Sequence, residues 1–369
     1  MTKMAKLLTA TAAAALATTG AMAGGIDRTG SDVGLIYEES GRYLQFSGAF
    51  VFPEVDGTLQ LPAVAGGPAD TGNSQDDYTI FGAGYRADFN ENISYAVIYD
   101  QPFGADVDYG TGPFAGTEGE INTDSLTGVV RYEFGNGFGV HGGLRALRSD
   151  ANTAVPAALY TLDVDSDTGY GYLVGMTYER PEIALRVALT YNSEIELDFD
   201  GTERGAPTSF STDLPDSVNL EVQSGVAPGT LVFGSIRWAD YSEFTVAPPG
   251  YGAAPGGPLI SYEDDVWAYT LGVGRAITEN FSVAVTLGYE GSSDSASPSL
   301  FSPADGSRSI SIGGAYDFGT VELSGGIRYT DLGDETIGVP VAALGGAIVP
   351  AQFENNSAIS IGLSLGFKL

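Results

Sequence analysis

From Ser357 to Leu369 the chain alternates without a fault. Ile359, Ile361, Leu363, Leu365, Phe367 and Leu369 are apolar, and Ser360, Gly362, Ser364, Gly366 and Lys368 between them are small or polar. A period of two places the first set on one face of a β-strand and the second on the other. The same pattern recurs along the chain in segments of roughly the 9–11 residues that a tilted strand needs to cross a bilayer. Short and long connections then alternate between these segments. An all-β fold follows: a 14-stranded antiparallel transmembrane β-barrel with a short N-terminal plug segment.

The expected strands are Arg42 to Gly57, Tyr78 to Phe89, Ile93 to Tyr109, Glu120 to Phe134, Phe138 to Ser149, Thr168 to Tyr178 and Glu182 to Gly201. They continue as Phe210 to Gly225, Thr230 to Val246, Asp264 to Ala276, Phe281 to Ser295, Arg308 to Phe318, Thr320 to Ile337 and Ser357 to Leu369. The faces are clearest where Phe281, Val283, Val285, Leu287 and Tyr289 alternate with Ser282, Ala284, Thr286, Gly288 and Glu290. The apolar face must meet lipid, because a charge there near the midplane costs ~2–4 kcal/mol. The small and polar face must line a lumen.

Gly135-Asn136-Gly137, Arg180-Pro181, Ala227-Pro228-Gly229 and Gly319 mark tight reversals. The alternate connections are long: Thr58 to Asp77, Asp150 to Asp167, Ala247 to Glu263, Ala296 to Ser307 and Gly338 to Asn356. Such barrels keep short turns on the periplasmic side and long loops outside. Aromatics expected at strand ends as interfacial girdles are Phe89, Phe134, Tyr178, Trp238, Tyr241, Tyr316, Phe318 and Phe367.

Residues 1–23 read as a secretory signal peptide: Lys3 and Lys6, a short apolar stretch from Leu7 to Thr19, and the small-residue site Ala21-Met22-Ala23. Residues 24–41 form the plug segment and 42–369 the barrel. No stretch approaches the ~20 consecutive apolar residues of a spanning helix. Cysteine is absent, which removes disulfides and thiol chemistry. Removing the signal peptide deletes two positive charges and no acidic ones, taking the net charge from −31 to near −33. Nucleic acid and anionic surfaces are poor partners for such a field.

Catalysis finds little to work with. The single histidine, His141, falls on the lumen face with Gly139, Gly143 and Arg145, and reads as a structural polar residue. No second histidine or cysteine offers a metal site, and no cofactor is expected. Arginines say more. Arg131, Arg145, Arg186, Arg237, Arg275 and Arg328 lie inside strands, most of them on the lumen face. Buried guanidinium groups need carboxylates or a ligand anion. One reading pairs them with lumen acids such as Glu133, Asp317 and Glu322; the other lets one or two meet a carboxylate headgroup. The candidate ligand-binding set is Arg131, Arg145, Arg186, Arg237 and Arg328. The long loops also carry unusual apolar stretches: Leu59 to Ala65, Val155 to Tyr160, Val339 to Leu344 and Ala347 to Pro350. Contact with lipid or a hydrophobic ligand is one reading, packing of loop on loop the other.

Three stretches carry a family resemblance. The first is Arg42-Tyr43-Leu44-Gln45-Phe46-Ser47-Gly48-Ala49 running into Pro53-Glu54-Val55-Asp56-Gly57-Thr58. The second is Ala188 to Ile195 with Leu197 to Gly201. The third is Leu214-Pro215-Asp216 followed by Trp238-Ala239-Asp240-Tyr241-Ser242-Glu243-Phe244. In order and spacing they resemble the first, seventh, and eighth and ninth strands of the FadL/TodX type of outer-membrane transporters for long-chain fatty acids and other hydrophobic compounds. The resemblance implies fourteen strands, an N-terminal hatch, and a kinked third strand that opens the wall. Pro102-Phe103-Gly104 stands where that kink would fall, since proline removes a ladder donor and glycine permits an inward bend. The hatch here is shortened to Ile26 to Glu39, and the Asn-Pro-Ala motif common in the family hatch is missing.

The resemblance implies passive passage of a hydrophobic ligand, such as a fatty acid, by a monomer embedded in the outer-membrane lipid of a Gram-negative bacterium. The alternative is a general diffusion porin for small polar solutes.

Overall fold

The computed structural model describes residues 26–29, 33–38, 41–252, 257–262, 264–292 and 299–369. The expected signal peptide lies outside them, as does the expected end of the eleventh strand at Ser295. Seventeen strand segments hydrogen-bond in one closed sheet. Three of the fourteen barrel strands are each broken into two pieces.

In chain order the strands are β1 (Arg42–Glu54), β2 (Tyr78–Asp88), β3 (Ile93–Asp100 and Gly104–Asp108), β4 (Glu118–Glu133), β5 (Phe138–Val155), β6 (Tyr160–Arg180) and β7 (Leu185–Asn192 and Ile195–Glu203). Then come β8 (Ala206–Leu214 and Ser217–Ala227), β9 (Thr230–Ala239), β10 (Val266–Ala276), β11 (Phe281–Glu290), β12 (Ser307–Asp317), β13 (Val321–Leu332) and β14 (Asn356–Lys368). Each pairs antiparallel with its sequence neighbours, and β1 closes the ring on β14 with Phe50 opposite Ile361. Closure leaves no free edge, the condition for a sheet in lipid.

The burial pattern is that of a soluble protein turned inside out. Leu144, Met176, Leu271, Ile312 and Leu363 are exposed on the outer wall, whereas Ser125, Thr127, Thr190, Ser311, Ser360 and the arginines Arg131, Arg145, Arg237 and Arg328 are buried within. Such a wall is stable only in contact with hydrocarbon. Aromatic pairs ring the short-turn end: Tyr132 with Phe134 at 5.0 Å, Phe138 with Tyr178 at 4.7 Å, and Tyr316 with Phe318 at 4.5 Å between centroids.

Two expectations are corrected. The stretch Asp150 to Asp167 is strand for most of its length, because β5 and β6 run on to a three-residue turn, Pro156–Ala158. Leu162 and Val164 bury themselves while Asp163 and Asp165 face water, so the alternation persists under a loop-like composition. Tyr241 belongs to no girdle. It is fully buried against Phe244 and Tyr262, at 5.9 and 5.3 Å between centroids.

The other long connections build a second layer at the long-loop end. Segments Asp56–Leu59, Ala69–Asn73, Glu335–Val341 and Ala347–Phe353 form a four-stranded sheet. Its core joins Val55, Leu59, Tyr109, Phe114, Ile337, Val349 and Phe353. A larger apolar cluster fills the barrel just below: Leu147, Tyr160, Leu162, Leu197, Phe199, Leu214, Tyr241 and Phe244, joined by Ile26 and Phe103.

Candidate functional site

Proline at 102 has no amide hydrogen to give, so the ladder between β3 and its neighbours cannot run through it. Pairing of β3 with β2 ends at Tyr99 opposite Ala83. Pairing with β4 stops at Asp100 opposite Ser125 and resumes at Gly104 opposite Asn122, so three residues on β3 face two on β4. Thr123 spans the break: the Phe103 amide donates to its Oγ1 at 3.0 Å, and that hydroxyl donates to the Phe103 carbonyl at 2.6 Å. On the β2 side a side chain substitutes for the missing strand, the Phe81 amide donating to Gln101 Oε1 at 2.9 Å. The ladder between β6 and β7 also lapses, between Leu173–Asn192 and Val164–Gly201, but there Gly169 and Gly171 close against Ile195.

The N-terminal segment supplies what β3 lacks. The amides of Arg28 and Thr29 donate to the Pro102 carbonyl at 2.7 and 3.3 Å, and the Gly104 amide donates to the Ile26 carbonyl at 2.8 Å. Gly104 leaves room for Arg28: a Cβ on it would lie 2.3 Å from the guanidinium carbon, so any larger residue must displace that side chain. Arg28 pairs with Asp106 and lies 4.4 Å over the Tyr78 ring. Asp27, buried, pairs with Arg237 on β9 at 2.7 Å.

Further along, Gly34–Tyr37 makes one 3-10 turn inside the barrel. The Tyr37 ring lies 4.7 Å from the Arg186 guanidinium and 5.2 Å from that of Arg131. Its hydroxyl is 3.4 Å from Nδ1 of His141, whose Nε2 sits 3.0 Å from the Thr190 hydroxyl. His141 is thus a buried structural link between β5, β7 and the N-terminal segment.

The five candidate arginines separate by partner. Arg131 pairs with Glu179 at 2.6 Å and Glu133 at 3.0 Å. Arg145 donates to the Thr127 hydroxyl at 2.9 Å, and Arg237 is held by Asp27 and by Asn219 at 3.2 Å. Arg186, half-buried, rests on Tyr37. Arg328 is buried, yet it donates no hydrogen bond and makes no ion pair among the described residues; its Nε is fully enclosed without a partner. Its cross-strand neighbours are Ser311 and Ser360. Asp317 and Glu322, expected to pair with arginines, instead hold Lys368 at 3.2 and 3.4 Å. Arg275 is exposed at the short-turn end, donating to the Pro228 carbonyl at 3.0 Å.

These side chains surround a cavity of about 960 Å³ inside the barrel. Arg131, Arg186, Arg237 and Arg328 line it; Arg145 does not. Leu35, Ala49, Ile98 and Phe233 give it apolar wall, and Ile80, Phe81, Gly82 and Tyr99 extend it to the unpaired interval between β2 and β3. A volume of this size is that of a small-molecule site. Pro102, Phe103 and Gly104 sit at the interval itself, with Phe103 buried beside Ile26. Sequence reasoning missed Asp27, Arg28, Tyr37 and Thr123. Arg28, the one basic residue beside Asp27, Asp32, Glu38 and Glu39 in the segment, was the available signal, though nothing local names its partners.

By sequence, no protein-family model and no curated protein matches the chain. Solved structures do. A Pseudomonas aeruginosa FadL homologue superposes with a TM-score of 0.74 at 12% identity, covering 96% of this chain and 98% of that one. The Pseudomonas putida toluene transporter TodX gives 0.64 at 11% identity over 96% and 98%. The Ralstonia pickettii toluene transporter TbuX gives 0.59 at 9% over 90% of each. At such identities what is shared is architecture, and the chain has the fold of the FadL and TodX transporters.

Proposed function

We propose that the chain resides in the outer membrane and passes hydrophobic compounds across it by passive diffusion. The carrying observation is the cavity inside a closed, lipid-belted barrel that extends to the unpaired interval between β2 and β3. A compound that enters the cavity leaves sideways past Pro102, Phe103 and Gly104 rather than through the axis. Lateral escape is downhill, because an acyl chain gains ~0.8 kcal/mol per CH₂ on passing from water to lipid. A general pore for polar solutes accords less well with an outer half filled by the cluster around Phe199 and Phe244.

The finer reading is a long-chain fatty acid, with Arg328 as the group that meets the carboxylate. A buried guanidinium without an acid is costly unless an anion arrives. The acyl chain would then lie along Leu35, Ala49 and Ile98 toward the interval. The protein acts as a monomer in this scheme, the cavity being complete within one chain.

Uptake of labelled fatty acid into proteoliposomes, with planar-bilayer conductance on the same preparation, tests the reading. Saturable uptake with negligible conductance supports it, and conductance without saturable uptake replaces it with an open pore. Pro102→Ala with Gly104→Ala, which restores a ladder donor and displaces Arg28, slows uptake while leaving barrel assembly intact. Unchanged uptake in that double variant removes the lateral route.

A further inference from the structure

Three hairpin or loop tips at the long-loop end share one construction. Each makes a single 3-10 turn, Ala63–Ala65, Pro156–Ala158 or Ala342–Leu344, and each turn is followed by a left-handed residue, Gly66, Leu159 or Gly345. At or beside each turn a large apolar side chain is exposed: Val64 at 91% and Leu159 at 86% in the first two, and Ile348 at 66% on the strand that leaves the third, opposite Pro340. No charged residue occurs from 57 to 69, from 151 to 162 or from 336 to 353, in a chain that carries 47 acids. Aspartate or glutamate stands at the foot of every one of these intervals: Asp56 and Asp70, Asp150 and Asp163, Glu335 and Glu354.

Leu159 adds a separate observation. Its φ of 49° is a conformation that glycine or asparagine adopts more easily, and its side chain is not rewarded by packing. Ala184, after the like turn Pro181–Ile183 at the short-turn end, shares that φ but is buried, so what sets Leu159 apart is a large apolar side chain left exposed in such a turn. The tips are also joined structurally. The turns at 63–65 and 342–344 share one end of the four-stranded sheet, since Asp56–Leu59 pairs with Ala347–Phe353. The loop containing Gly112 and Gly116 joins this sheet to the third tip, Gly112 packing on Asp70 and Thr71 and Gly116 on Pro156.

We infer that Val64, Leu159 and Ile348 insert into the surface of a dispersed apolar phase, such as a hydrocarbon droplet, and hold the barrel mouth against it. The inference rests on the transport reading and names where the compound is drawn from. Separate turns presenting one exposed apolar side chain each suit a fluid interface, which accommodates any shape, better than a rigid partner, which needs a matched pocket. Their lack of charge suits an uncharged phase, and the acids at their feet fix the depth of entry at the water line.

The absence of cysteine makes the test clean. Full-length chain in nanodiscs is prepared with Val64→Cys, Leu159→Cys or Ile348→Cys and labelled with a polarity-sensitive thiol dye. Asn136→Cys, at the opposite end of the barrel, is the control. Addition of hexadecane droplets shifts the three tip dyes to the blue and leaves the control unmoved. A triple Val64→Ser, Leu159→Ser, Ile348→Ser variant binds droplets no better than empty nanodiscs, yet in proteoliposomes takes up dissolved monomeric compound as the parent does. Tip dyes that ignore droplets overturn the inference, as does a shift that follows protein concentration alone, which would mean contact between copies. Loss of dissolved-compound uptake in the parent itself would instead fault the transport reading.

Discussion

Arg328 differs from the other buried arginines of the described residues in making no ion pair or side-chain hydrogen bond among them, and two consequences follow for single substitutions. A charge-assisted hydrogen bond contributes ~1.5–3 kcal/mol, so Arg328→Met weakens binding of a long-chain fatty acid roughly 10- to 100-fold while leaving its methyl ester unaffected. Fluorescent-analogue titration of both ligands reads the difference. Arg237 behaves oppositely. Its removal strands Asp27 as an unpaired buried charge, a loss of ~3–5 kcal/mol, so Arg237→Met unseats the N-terminal segment and exposes Arg28 to trypsin while the barrel stays folded. The lumen position of both arginines was legible in the alternation of β9 and β13. Their partners were not, since Asp27 and Arg237 are 210 residues apart and an ion pair leaves no periodic trace.

At the scale of elements, period two was a faithful guide in the membrane and a poorer one beyond it. Within the wall, lipid and lumen enforce alternation on every strand. Past the wall the outer face meets water in place of lipid, so acids replace its apolar residues, and the aspartates of β6 made strand look like loop although Leu162 and Val164 keep the period. The interruption of β3 was readable because Pro102 forbids the ladder, but its filling by Ile26 to Thr29 was not, since main-chain pairing has little sequence preference. The outer sheet carries a pH signature of its own. Burial and Asp305 raise Glu335 above the usual glutamate range, although the Thr336 amide donates to it at 2.6 Å. The fold therefore favours the protonated form. That contribution is fully present below the ordinary glutamate value and is lost as pH rises through the raised one. Amide-exchange protection of residues 335–353, corrected for intrinsic rates, falls over that window in the parent and stays level in Glu335→Gln.

The whole molecule is organised by its solvent. Leucine at 363 is 56% exposed on the outer wall, and serine at 364 beside it is buried in the lumen. Leu363→Arg should cost ~2–4 kcal/mol of folding free energy if this wall sits near the bilayer midplane, measured by urea titration in lipid vesicles. A cost near zero would place that wall in water. The segment that fills β3 has a consequence for time as well as for space. Its contacts with Pro102, Gly104, Asp106 and Arg237 reach strands β3 and β9 at once, so its seat does not exist until the ring has largely formed. The first residues of the described chain are therefore the last to find their place. During assembly the sheet closes while the break in β3 is still unfilled, and for that interval the outer cluster around Phe199 and Phe244 is what stands across the lumen.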